Sequence, residues 1–190
     1  MLKYIPILEL PILIIMVLIR AMILRRHGIK AMVFGATDKT NYFIIPVVLL
    51  LFYALLASVI NVPFPHILIK PFFEMDILYI IAIILCTISL VWFGVTLKVF
   101  GNSFKVGIDE TSHEKLITNG TFALSRNPIY TGFLVFFVGI FIAYSNISIL
   151  VFLIFLMLIM HRQIIREELF LKNHYGAEYE EYCQNVRRYL

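Results

Sequence analysis

Charge is scarce in this chain. Asp, Glu, Lys and Arg make up only 15% of its 190 residues, against about 25% in soluble domains. Cysteine is scarcer still. Cys86 lies in an apolar run and Cys183 near the C-terminus, with no CxxC and no Cys/His spacing that would hold a metal. Both read as free structural thiols. The five histidines, His27, His66, His113, His161 and His174, are scattered, and no HExxH occurs. No metal site is expected. GxGxxG is missing, and so is GxxxxGK followed by Ser or Thr, so neither a Rossmann nor a P-loop nucleotide site is indicated. No internal repeat or low-complexity stretch is visible. The net charge is +4, but the basic residues cluster between apolar runs. That placement points to membrane topology rather than to nucleic acid as a partner.

What the chain has in abundance is apolar length, with 61% hydrophobic residues gathered into five runs. The runs cover about 5–24, 42–62, 76–100, 128–144 and 147–160. The first two are long enough to cross a hydrocarbon core of roughly 30 Å. The third is longer and is expected to tilt or project beyond it. The last two are short, separated only by Ser145, Asn146 and their neighbours, and read as a tight helical hairpin. The fifth is expected to continue as one helix into the polar segment 161–174. The first run carries Arg20 and lacks a clear small-residue cleavage site, so it reads as a retained helix rather than a signal peptide. The C-terminus carries no lipidation motif. Glu9 and Arg20 lie near the ends of the first run, where they are expected to snorkel to the surface.

The charges orient these runs. The first connection holds Arg25, Arg26, Lys30 and Lys39, the third holds Lys98, Lys105, Lys115 and Arg126, and the tail holds Arg162, Arg166, Lys172, Arg187 and Arg188. Basic connections favour the cytoplasm. Five crossings with the N-terminus outside put all of them, and the C-terminus, inside. The expected fold is therefore an all-α integral membrane protein with five transmembrane helices. Residues 1–100 form a three-helix scaffold, and residues 101–190 hold the polar chemistry within the same domain, at the cytoplasmic face. The short chain favours a prokaryotic plasma membrane.

Two polar groups stand out. At Ser125-Arg126-Asn127-Pro128-Ile129-Tyr130, Asn suits an N-cap and Pro the first helical position. A helix beginning there would turn unpaired N–H groups and a positive dipole end toward an anion. The same residues would also serve simply as a capped membrane helix with an interfacial Arg and Tyr. The second group is Arg166-Glu167-Glu168. Gln163 and Glu167 share one helix face, and Arg162 and Arg166 the neighbouring one. These could form a solvated charged turn or face a cationic ligand. Tyr175, Tyr179 and Tyr182 fall at helical spacing and are expected to pack back on the membrane face.

The order of the pieces carries more than any one of them. A polar turn at 101–107 is followed by 116–122 (LITNGTF), then 126–132 (RNPIYTG), a hairpin, and Glu167-Glu168 spaced before Leu171, Tyr175, Gly176, Tyr179 and Tyr182. From about Gly101 onward the chain resembles the isoprenylcysteine carboxyl methyltransferase family and the related phospholipid methyltransferases, especially their small prokaryotic members. It departs from the usual Arg-His-Pro of that family with Asn127, which cannot carry a charge near neutral pH. It also ends at Arg187-Arg188-Tyr189-Leu190 where the family has an Arg-x-Pro pattern.

The resemblance implies S-adenosylmethionine as donor, with S-adenosylhomocysteine as product, held at the cytoplasmic face by the C-terminal half. It implies a carboxylate-binding helix start at Arg126, Asn127, Pro128 and Ile129, and a sulfonium faced by Tyr130, Phe122 and Glu167. Leu116 and Ile117 would flank adenine, with Lys105, Val106 and His113 at the rim. A lipophilic acceptor would enter from the bilayer. A carboxylate acceptor needs no base and would be oriented by Arg166 or Arg162. An amine or hydroxyl would call on Glu167 or Glu168. Two other readings remain at this point: an NADPH-dependent membrane reductase of the sterol-reductase type, and a non-enzymatic membrane protein.

Overall fold

The structure, a computed structural model, describes residues 2–26, 41–60, 62–100 and 116–190. Among these residues all regular structure is helical. A 3-10 turn at Leu2–Tyr4 leads into α1 (Ile5–Arg26). Then come α2 (Asn41–Ile60), the single turn α3 (His66–Ile69) and α4 (Asp76–Phe100). A 3-10 turn at Gly120–Ala123 precedes α5 (Pro128–Ala143). Finally come α6 (Ile147–Tyr175) and α7 (Ala177–Asn185). The five apolar runs become α1, α2, α4, α5 and the first half of α6. Three of the described helical stretches are long and apolar enough to cross a membrane: Leu2–Ile23, Asp76–Phe100 and Ile147–Tyr175. Their outward faces stay apolar, as a lipid solvent requires. On α4, Ile84, Ile88, Val91 and Val95 form one exposed stripe at helical spacing.

The core is an antiparallel pairing of α4 with α5. Gly132 and Gly139, seven residues apart on one face of α5, let the helices approach closely. A Cβ on Gly139 would come within 2.7 Å of Cys86 Sγ and 3.2 Å of the Ala82 carbonyl oxygen. Side chains of α4 hydrogen-bond across this seam. Ser89 Oγ donates to the Gly132 carbonyl at 2.6 Å, and Trp92 Nε1 to the Pro128 carbonyl at 2.8 Å. The second bond satisfies the indole N–H and ties α4 to the first residue of α5. Phe93, Phe136, Ile140 and Ile149 fill the centre.

The α5–α6 hairpin is as tight as the sequence implies. Asn146 caps α6, its Oδ1 accepting from the Ile149 amide at 3.0 Å, while its Nδ2 donates to Ser58 Oγ of α2 at 3.0 Å. Ser145 Oγ bonds both backbone groups of Phe73 at 3.2 Å. The tip is therefore pinned to the connection that leads into α4.

Two expectations fail. Glu9 does not snorkel. It is buried against α4 and accepts from Thr87 Oγ1 at 2.9 Å, because a polar partner on the facing helix relieves its desolvation. Arg20 likewise has its Nε and one terminal nitrogen shielded from solvent. Tyr179 and Tyr182 pack back as expected and are buried, but the three tail tyrosines do not share the one helix that their spacing implies. Gly176, at φ +54°, ends α6 just after Tyr175 and turns the chain into α7.

Replacing Gly139 by Val should force α4 and α5 apart. An overpacked core costs about 1–3 kcal/mol, so the melting temperature in detergent should fall by several degrees. Val151→Ala, on the exposed face of α6, should leave it nearly unchanged.

Candidate functional site

Three segments converge where α5 begins: the loop 125–127, the polar half of α6, and the C-terminal residues beyond α7. Asn127 occupies the N-cap position of α5 and Pro128 its first turn, as their residue types imply. The Asn127 side chain, however, does not cap the helix. Its Nδ2 instead donates to Glu168 Oε1 and to the Arg188 carbonyl, both at 3.1 Å. Ser125 Oγ takes over locally, accepting from the Asn127 amide at 3.1 Å and lying 3.2 Å from Thr131 Oγ1. The first turn of α5 is left without a side-chain cap, an arrangement that favours an anion at its N–H groups.

One turn into α5, Tyr130 reaches α6. Its hydroxyl donates to Glu167 Oε1 at 2.7 Å, and Gln163 Nε2 donates to the same oxygen at 2.9 Å. The Gln163–Glu167 pair realises the i, i+4 face read from the sequence. An acid is thus held near the end of the apolar part of α6 by two neutral donors, Tyr130 and Gln163, a setting that suits a cationic ligand.

The adjacent acid has a different environment. Glu168 Oε2 accepts from Arg188 Nε at 3.0 Å and Nη2 at 2.8 Å. Its Oε1 takes the Asn127 amide and lies 3.4 Å from Arg126 Nη2. The Glu168 side chain is only 12% exposed, so these donors replace its lost hydration. The bond to Glu168 holds the Arg188 guanidinium above its ordinary pKa. Around this pair α7 supplies packing. Tyr182 donates to the Phe122 carbonyl at 2.6 Å, and burial pushes its phenol up to about 12. Burial, and then the nearby Glu168 charge, raise Tyr179 as well.

The remaining expected site residues divide as follows. Phe122 is buried and stacked on Phe100, with ring centroids 5.1 Å apart. Leu116, Ile117 and Ile129 are half-buried. Arg166 is half-buried on α6, about 100° round the helix from Glu167. Lys105, Val106 and His113 lie outside the described residues. Sequence reasoning missed Ser125, Trp92 and above all Arg188 as parts of this cluster. The unusual C-terminal ending was the one signal that pointed to the last of these. Among the described residues, no three His, Cys, Asp or Glu side chains gather as a metal site.

Below the polar cluster, toward the middle of the bundle, lies a cavity of about 270 Å³ between α1, α2, α5 and α6. Its lining is apolar and includes Leu13, Phe52, Phe133, Phe137, Ile149 and Phe152. Phe133 stands three residues beyond Tyr130, so the α5 face that carries the polar contact to Glu167 continues along the cavity wall.

Glu168→Gln keeps the shape of this cluster but removes the charge that two arginines face. Hydrogen bonds to charged groups contribute about 1.5–3 kcal/mol. The variant should therefore melt several degrees below the wild type in detergent.

Comparison with known proteins gives the chain its relatives. Over 89 residues the chain is 39% identical to a probable protein-S-isoprenylcysteine O-methyltransferase of Oryza sativa subsp. indica, covering 45% of this chain and 47% of that one. Over 89 residues it is 36% identical to protein-S-isoprenylcysteine O-methyltransferase B of Arabidopsis thaliana, covering 45% of each. The A form from the same plant is 34% identical over 89 residues, with the same coverage. The match thus spans about half the length of these curated relatives. No solved structure matches. The family model described as phospholipid methyltransferase matches residues 75–178, a span that takes in α4, the start of α5, Tyr130 and both acids of α6. With more than half of its length matched, the chain belongs to the phospholipid methyltransferase family.

Proposed function

We propose that this chain is an integral membrane methyltransferase that uses S-adenosylmethionine and passes its methyl group to a lipid-like acceptor carrying a carboxylate. The observation that carries the proposal is Glu167, an acid at the foot of a membrane helix, bonded by Tyr130 and Gln163 beside the uncapped start of α5. That donor set fits the cofactor. An amino-acid carboxylate suits the first-turn amides of α5, and a sulfonium suits an acid flanked by an aromatic ring. Leu116 and Ile117 would flank the adenine, with Phe122 behind the loop. Lys105, Val106 and His113 would complete the rim.

When bound, S-adenosylmethionine supplies an electrophilic methyl whose transfer to a carboxylate forms one C–O bond as one C–S bond breaks, with no proton to remove. The residues then have only to bind and orient. Positioning of this kind can supply much of a rate enhancement. Glu168 is committed to Asn127, Arg126 and Arg188, which argues against it as a base and favours an acceptor that needs none. Arg166 is the cation proposed to hold the acceptor carboxylate. The cavity along Phe133 and Phe137 supports a lipid-like tail, and the names of the rice and Arabidopsis relatives describe O-methylation of isoprenylcysteine. In this reading α1, α2, α4, α5 and α6 cross the membrane, with the N-terminus outside and the site at the cytoplasmic face.

Purified protein in liposomes, given labelled S-adenosylmethionine and a prenylcysteine analogue with a free carboxylate, should form a methyl ester. Glu167→Ala should lower the rate about a hundredfold, the scale set by loss of a preorganised charge partner. Unchanged turnover in that variant would contradict the site assignment. Ile149→Trp fills the cavity from its buried wall. It should lower turnover of the prenylated acceptor while leaving S-adenosylhomocysteine affinity within about twofold, a difference of under 0.5 kcal/mol. Equal loss of both would separate the cavity from the acceptor.

A further inference from the structure

The five residues after α7 make an unusual number of directed contacts. The Arg126 amide donates to the Arg187 carbonyl at 2.9 Å. The Arg188 carbonyl accepts from Asn127 Nδ2 at 3.1 Å and from Ser125 Oγ at 3.4 Å. The Arg188 guanidinium places two N–H groups on one oxygen of Glu168. Tyr189 Oη lies 2.7 Å from His161 Nδ1, with the rings stacked. This short segment therefore ties the loop before α5 to α6 at two points, His161 and Glu168, seven residues and about 10 Å apart along the helix.

We propose that Arg188 is a positioning residue for the donor site, acting through Glu168 and Asn127 rather than touching donor or acceptor. The inference rests on the methyltransferase reading given above. Glu167 and Glu168 are consecutive on α6, so their side chains leave the helix about 100° apart. Only one of them can face Tyr130. Arg188 settles which. Its guanidinium neutralises Glu168, and its carbonyl takes the second proton of the same Asn127 amide that Glu168 binds. Asn127 thereby becomes a fixed spacer between the α5 start and α6. Both its amide protons are bound in this lattice, which holds the side chain away from the helix start, so its Oδ1 gives the first turn of α5 no cap. A neutral amide does this where an imidazole could not, because one side-chain nitrogen must give two hydrogen bonds in different directions.

Removing the Arg188 side chain would leave a largely buried carboxylate with its strongest partner gone. Arg126 and Asn127 are the nearest donors that can compensate, and both sit at the α5 start. Their movement would pull Tyr130 away from Glu167. The loss should therefore appear in donor binding, and removing the Glu168 charge as well should reverse it.

The test is calorimetric titration of S-adenosylhomocysteine into the full-length, detergent-purified wild type and three variants. Arg188→Ala should weaken binding about tenfold or more, and Arg188→Lys, which keeps the charge, by no more than about threefold. The double variant Arg188→Ala/Glu168→Gln should recover most of the affinity lost in Arg188→Ala. Wild-type affinity in Arg188→Ala would overturn the positioning role while leaving the methyltransferase reading intact. Equal loss in Arg188→Ala and Arg188→Lys, with no recovery in the double variant, would also overturn it. No binding by folded wild type would overturn the donor reading and this inference with it.

Discussion

A polar group inside a bilayer has no water to fall back on, and each one left unpaired costs several kcal/mol. That constraint explains most of what is specific in this structure. Ser89 and Trp92, on the largely apolar α4, give their protons to carbonyls of α5. Each such bond both satisfies a donor and sets the register of the two helices. The Trp92 bond reaches the carbonyl of Pro128 itself, so the packing of the bundle is coupled to the position of the helix start where the site is built. Glu9 follows the same rule on another face of α4, meeting Thr87 across the α1–α4 seam.

The same constraint separates the two acids of α6. Glu168 is surrounded by arginines and an amide, and its charge is matched on the spot. Glu167, one residue earlier, takes its hydrogen bonds among the described residues from a phenol and an amide. Adjacent carboxylates in like surroundings would repel each other and compete for the same cations. Here Glu168 serves the architecture, and Glu167 is the one proposed to face a ligand. The tail makes this division possible, and α7 holds the tail in place through Tyr182 on the Phe122 carbonyl.

Much of this was legible in the sequence, for identifiable reasons. The third apolar run coincides with α4, from Asp76 to Phe100, because a long apolar stretch between charged residues leaves little freedom in its ends. Pro128 marked the start of α5, and Ser145-Asn146 the hairpin, because turn and cap chemistry is local. Gln163 and Glu167 met as helical spacing requires. What local reasoning could not supply was pairing at long range. Asn127 looked like a cap from its neighbours alone, but its partners Glu168 and Arg188 lie 41 and 61 residues away. Glu9 looked free to snorkel because nothing near it in the chain showed that Thr87 would face it. Tyr175 appeared in phase with Tyr179 and Tyr182, and only the positive φ of Gly176 takes it out of their helix. The order of the motifs, rather than any single residue, carried the family.

The space between the α5 start and Glu167 is proposed to receive a sulfonium-bearing nucleoside donor. Calorimetric titration of detergent-purified protein with S-adenosylhomocysteine, with NADPH as control, tests it most directly. Saturable binding of S-adenosylhomocysteine at about one molecule per chain is expected, as for a single site, and none of NADPH. Binding of NADPH, or of neither compound by a folded sample, would contradict it.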